Sequence, residues 1–330
     1  MQSTKLCLAE SKTDPCNSQI IQAHTIPKSQ LRQIADNNHV VSANLSPDEL
    51  IRKEGEFGTR LFGIKQFSVL NCFCANHDKR LFAPIEDDTL DFTLRQISLL
   101  HYRTIASELY RKTTSHGSTL EHIKAIRQKS PRTAHEIAQL QFLESMAFGQ
   151  QLGIRDIGGA FAQIENDALS EQPSSTSGLV IHFKRMPSVM TVGGFLPEFD
   201  YQGTPLQTLG NAKSICTGVS FNILAARGHA AVAFLWFKGD SLIREFARSF
   251  MAEPPELYTT LAIQTAFEHL ENTCMAPLWW NKLRKVEQDS LMRRLRTGGS
   301  PIEERKASCL TFGGIKFDEW EYSSHEFINC

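Results

Sequence analysis

The chain has 330 residues, 41% of them hydrophobic and 22% charged, proportions that exclude collagen, coiled coil and wholesale disorder. Its 35 Lys and Arg offset 36 Asp and Glu, a net charge of −1, so the whole molecule is not drawn to nucleic acid or anionic lipid. The longest apolar run, residues 230–237, is less than half of the roughly 18 residues a membrane span needs. The opening MQSTKLCLAESK lacks the apolar stretch of an export signal, and the expectation is a soluble, cytoplasmic protein of two or three domains.

Residues 1–88 are broken up by Pro15, Pro27, Pro47, Gly55, Gly58, Gly63 and Pro84. Short apolar stretches at 18–21, 40–41 and 59–62 predict strands, and 29–35 and 76–82 predict short helices. Large apolar residues are few here, so a metal or disulfide is expected to hold the segment. Helical periodicity then takes over. Leu90, Leu94, Ile97, Leu100, Ile105 and Leu109 predict a long helix capped by Asp88, with a break at 115–118 and a shorter helix beyond it. Ser130 and Pro131 have the form of a second helix start, leading an apolar stripe through Ile137, Phe142 and Leu152 to Ile164. Together these predict an antiparallel helical hairpin over 89–170. After a polar linker at 170–178 the pattern changes to strands at 179–186, 188–193, 214–224 and 230–237, the last apolar on both alternations as for a strand covered on both faces. Helices over 241–251 and from Pro254 to about residue 272 follow, then strands at 309–312 and 315–322. Residues 178–330 are thus expected to form an α+β domain.

Charge is uneven locally. Residues 101–135 carry seven basic side chains against Glu108 and Glu121, and 281–308 carry eight against four. Lys124, Arg127 and Lys129 on the first of these stretches are candidates for a phosphate-binding face, the alternative being a solvated helix surface. Trp279 and Trp280 could stack on a base, though adjacent aromatics more often place one ring in a core.

Four of the eight cysteines lie in the first 74 residues. In a chain without an export signal, clustered cysteines bind metal more often than they form disulfides. Cys74 and His77 have the spacing of a ligand pair at a helix start, and Cys7, Cys16 and Cys72 are candidates to complete a tetrahedral zinc site.

At these residues the chain resembles the HNH, or ββα-metal, nucleases of treble-clef type. AHTIPKS, through Ala23, His24, Ile26 and Pro27, matches the β-hairpin bearing the general base; NCFCANHDKRLF, with Asn71, Cys74, His77, Leu81 and Phe82, matches the helix that opens with a C-x-x-H pair. The resemblance covers residues 5–88, and these strings also resemble a group of bacterial proteins. It implies an N-terminal zinc-bound ββα module before the hairpin and the α+β domain. It also implies that His24 deprotonates water, Asn71 pins the loop or His24, and Asp78 or His77 holds a catalytic Mg²⁺ or Mn²⁺, with Zn²⁺ held structurally by Cys7, Cys16, Cys74 and His77. The expected activity is a metal-dependent nuclease on DNA or RNA, by analogy an effector of anti-phage defence, with a protein partner on the helical or C-terminal part. Ala23 stands where active members carry a metal-binding Asp or His. The alternative is therefore a non-catalytic zinc scaffold or a nucleic-acid-binding, regulatory protein.

Overall fold

The structure is a computed structural model that describes residues 5–9, 15–16, 18–44, 58–129, 133–299 and 303–330. The N-terminal strands are β1 (Ile20–His24), β2 (His39–Asn44), β3 (Gly58–Gly63) and β4 (Val69–Cys74), with α1 (Lys28–Ile34) after β1 and α2 (Ala75–Glu86) after β4. Two helices follow, α3 (Leu94–Gln128) and α4 (Ala134–Ala168). Then come β5 (Thr176–Phe183), β6 (Val189–Phe195), β7 (Val219–Ala226), β8 (His229–Phe237), α5 (Ser241–Met251), α6 (Tyr258–His269), β9 (Thr273–Met275), α7 (Pro277–Trp280), α8 (Lys285–Gly298) and β10 (Tyr322–Ile328). The mixture of helix and antiparallel sheet agrees with the expected α+β class. Among the described residues no helix is long and apolar enough to cross a membrane.

Eight strands form one antiparallel sheet in the order β10-β5-β8-β7-β6-β9-β2-β3, while β1 and β4 pair separately. Strand alternation explains why both faces of the large sheet are covered. On β5 and β8, Leu179, Ile181, Val232, Phe234 and Trp236 face one core with Phe246, Phe250 and Ile263 from α5 and α6. The intervening Val180, Ala231, Ala233 and Leu235 face the other core. There α3 lies across the strands, and the small alanines let it come close. The N-terminal strands and helices share this second core: Ile26, Leu31, Val40, Phe73 and Phe82 are buried in one cluster with Ile97 and Tyr102 of α3. Gln30 locks α1 to the sheet, its side-chain amide pairing with both the N–H and the C=O of Ala225 at 2.8 and 2.9 Å.

Several sequence expectations need correcting. The long helix starts at a capping box on Thr93 and Gln96, not at Asp88, and runs 35 residues without the expected break. Gly117 costs only about 1 kcal/mol in a helix, and packing along α4 outweighs it. Gln150 of α4 donates to Ser115 Oγ at 3.0 Å, within the stretch expected to break. Ser130 and Pro131 lie outside the described residues; α4 is capped instead by Thr133, which accepts from the Glu136 N–H at 3.2 Å. β4, β9, α7 and α8 were not expected from the pattern, and the last strand, β10, begins at Tyr322, where the expected one ends. The stretch 309–321 has no strand, because side chains of α6 take the place of a strand partner. Gln264 accepts from Gly313 N–H at 3.1 Å, and Thr259 accepts from Trp320 N–H at 3.0 Å.

Candidate metal centre and its surroundings

β4 ends where α2 begins, and Cys74 is the residue between them. Its side chain caps the helix by accepting from the His77 N–H at 3.5 Å, so the spacing that places His77 one turn into α2 also turns it back toward Cys74. Two further strands of chain wrap this junction. Residues 6–8 run along β4, the amides of Leu6 and Leu8 donating to the carbonyls of Asn71 and Cys72 at 3.3 and 2.9 Å. This brings Cys7 Sγ within 3.3 Å of the Cys74 N–H. On the other side, Ala75 N–H donates to the Gln19 carbonyl and Asn76 N–H to Ser18 Oγ, anchoring the segment that carries Cys16.

The result is a set of four ligand atoms, from Cys7, Cys16, Cys74 and His77, all within 4.8 Å of one another. Cys7 and Cys16 sulfurs lie 3.2 and 3.7 Å from His77 Nδ1. A tetrahedral zinc with ordinary bond lengths requires S···N edges of about 3.6 Å and S···S edges of about 3.8 Å, so the residues fit such an ion with only small adjustment. Charge fits as well. Burial raises the Cys74 thiol, but hydrogen bonds from Ser18, the His77 amide and the other two thiols outweigh it and bring Cys74 down to about 7. Burial pushes Cys16 up to about 12 and raises Cys7, and bound metal would displace those protons. Cys72 stays outside the set; it is buried in the apolar core, which pushes its thiol up to about 12.

Of the other expected site residues, Asp78 stands in the first turn of α2 beside His77 and Asn71 in β4, whereas His24 ends β1. α2 runs back antiparallel to β4, so its last turn lies near the end of β1. There His24, half-buried, donates from Nε2 to the Ile64 carbonyl at 2.9 Å. A carbonyl only accepts, so Nε2 carries the proton and Nδ1 keeps its lone pair. Burial lowers the His24 pKa, with the charges of Glu86 and Arg103 acting in opposite directions. Arg103 of α3 is 1% exposed, bonded to Glu86 and stacked over the Phe82 ring with its guanidinium carbon 3.9 Å from the centroid. Asp78 is buried beside this pair, its carboxyl pushed up by burial to about 6 against the pull of Arg103, and its Oδ1 has no hydrogen-bond partner. Asn71 sits in a β-bulge, since β1 and β4 slip register between Ile21 and Ala23. Ala23 itself is buried. Among the described residues the Cys₃His set is the only group of three or more His, Cys, Asp or Glu side chains close enough to share an ion.

Lys124, Arg127 and Lys129 lie together at the exposed far end of α3, where Arg127 pairs with Glu144 of α4 at 2.6 Å. The local charge excess shrinks in three dimensions, because Arg103 is buried against Glu86 and Arg111 pairs with Glu108. Trp280 is buried and stacks parallel on Phe267 while Trp279 is only partly buried, so one ring of the pair is core. Arg103 is the residue the sequence reading missed: it counts as one charge of a basic stretch, and only its contact with α2 shows its place beside His24.

No family model, curated protein or solved structure matches the chain. What remains of the resemblance is the cluster Cys7, Cys16, Cys74 and His77, a set that could bind a metal such as zinc.

Proposed function

We propose that the protein is a non-catalytic zinc scaffold with a binding or regulatory role, in which the Cys₃His set holds one structural Zn²⁺ and the opposite end of the ββα module does not cleave phosphodiesters. The observation that carries this reading is Arg103. Its buried guanidinium is bonded to Glu86 and its charge also acts on Asp78, the carboxylate expected to hold a catalytic ion, so a fixed cation stands beside the group that an open Mg²⁺ or Mn²⁺ site would need. All four positions around the structural ion are met by protein, which leaves none for substrate or water. The candidate contact for DNA or RNA is the exposed end of α3 with Lys124 and Lys129.

A second reading, the metal-dependent nuclease, is favoured by one observation: the tautomer imposed on His24 leaves Nδ1 able to take a proton from water. An incubation of the purified chain with supercoiled DNA and with RNA, in Mg²⁺ or Mn²⁺, separates the two. The scaffold reading expects no cleavage above that of His24→Ala. Cleavage that EDTA stops and His24→Ala abolishes, with metal content unchanged, contradicts it.

A further inference from the structure

Beyond Tyr110, α3 runs beside the first half of α4 as a two-helix arm with little core of its own. There α3 buries only Thr119 and Ile123, and α4 buries only Ala147 before Ile164. Yet α4 is apolar on every side of this stretch. Helical spacing points Leu140, Phe142 and Phe148 in three different directions, and Glu136 and Glu144 are the only Asp, Glu, Lys or Arg residues from 134 to 154. A helix apolar all round is ordinarily enclosed.

Two stripes make one uncovered face of this arm. On α3, Leu120, Lys124 and Arg127 recur at steps of four and three residues, and on α4, Ile137, Glu144 and Phe148 recur at steps of seven and four. Each set therefore lies along one side of its helix. Arg127 bonds Glu144 at 2.6 Å, so the two stripes open to the same side of the arm. Leu120, Ile137 and Phe148 are 47%, 45% and 53% exposed there. Gln150 bonds Ser115 nearer the sheet, which fixes the order along the face: Leu120 with Phe148 first, then the charges, then Ile137 toward the tip. An apolar, charged, apolar order is its own complement. A two-fold axis through the charged middle lays Phe148 of one copy on Ile137 of the other and sets each Glu144 between its own Arg127 and the Lys124 of the second copy.

We propose that this face of the arm pairs with the same face of a second copy, the two arms forming an antiparallel four-helix bundle. An arm roughly 26 Å long and two helices wide offers about 500 Å² per copy, the low end for specific interfaces, so the dimer is reversible, with a Kd on the order of 10 µM. The inference depends neither on the metal centre nor on the scaffold reading. It leaves Lys129, half a turn out of phase with Leu120, on the other side of α3 for nucleic acid. Its test is sedimentation velocity of the full chain from about 1 to about 200 µM, a span bracketing that Kd. A monomer–dimer equilibrium is expected. Phe148→Glu and Lys124→Glu, each acting twice in a symmetric dimer, are expected to raise the Kd at least about tenfold. Phe142→Glu, 40% exposed but turned away from this face, is expected to leave it unchanged. A chain that stays monomeric throughout overturns the proposal and assigns the face to a different partner. Dimerisation that Phe148→Glu and Lys124→Glu leave intact, or that Phe142→Glu weakens equally, overturns it as well. Should Phe148→Glu fail to fold, the comparison of Lys124→Glu with Phe142→Glu decides.

Discussion

The two ends of α2 make opposite use of charge. At its start, Cys74 and His77 face Cys7 and Cys16, and four ligand atoms converge with nothing but a cation needed to balance them. At its end, Glu86 has its cation built in, since Arg103 reaches it from α3. In the proposed scaffold one end would be completed by an ion from solution, and the other is completed by the protein's own chain. A module completed in both ways would be held at one end by metal and at the other by tertiary structure, and that division would separate the proposed scaffold from an enzyme with an exchangeable catalytic ion.

The comparison breaks most visibly at the metal end. Cys74→Ala removes a ligand and the helix cap together, so its cost should exceed the about 1 kcal/mol of a lost cap alone. Urea melts with and without chelator test this: the chelator should destabilise the wild type and leave Cys74→Ala unaffected. At the other end, Arg103→Met leaves Glu86 without its cation and should cost about 3 kcal/mol, with metal content unchanged. Loss of metal in Arg103→Met would join the two ends into one site.

Asp78 sharpens the comparison with a change of sign. Its carboxyl titrates at about 6 in the fold against an ordinary 3.8. The folded state therefore holds the proton more tightly, and this contribution to stability is full below pH 3.8 and is lost as pH rises through about 6. Asp78→Asn should raise stability at pH 7 by about 1–2 kcal/mol and flatten the pH profile between 4 and 6; a destabilised variant would mean that the ionised carboxylate has a partner it needs. The smallest effect belongs to the exposed end of α3. Reversing Lys124, Arg127 and Lys129 to Glu should change stability by no more than about 0.5 kcal/mol, while nucleic-acid affinity falls and its salt dependence flattens. An unchanged affinity and salt slope would assign these charges to solvent.

The sequence carried the metal centre further than it carried the fold around it. Cys74 and His77 are three apart at a strand-to-helix junction, a local pattern, and the two distant cysteines were singled out by their type and by the clustering of four cysteines in the first 74 residues. The strand 230–237 was legible because both alternations are apolar, and helix α5 because Asp240 caps an amphipathic run. What stayed hidden depends on contacts far apart in sequence. β9 is three residues long and is a strand only because β2 and β6 flank it. The unbroken α3 depends on α4 beside it. The thin core inferred for residues 1–88 is thickened by α3 and the sheet, which sequence periodicity within that stretch does not contain. Arg103, on a helix of mixed charge, offered no pattern to separate it from a solvated arginine.

Elemental analysis of freshly purified protein, before and after exchange into Mg²⁺- or Mn²⁺-containing buffer, tests the central claim most directly. One zinc per chain is expected, lost in Cys74→Ala and kept in both His24→Ala and Arg103→Met, with no second divalent ion retained. No zinc in the wild type, or a second ion bound stoichiometrically and released by His24→Ala, would contradict the division between a metal-completed end and an arginine-completed one.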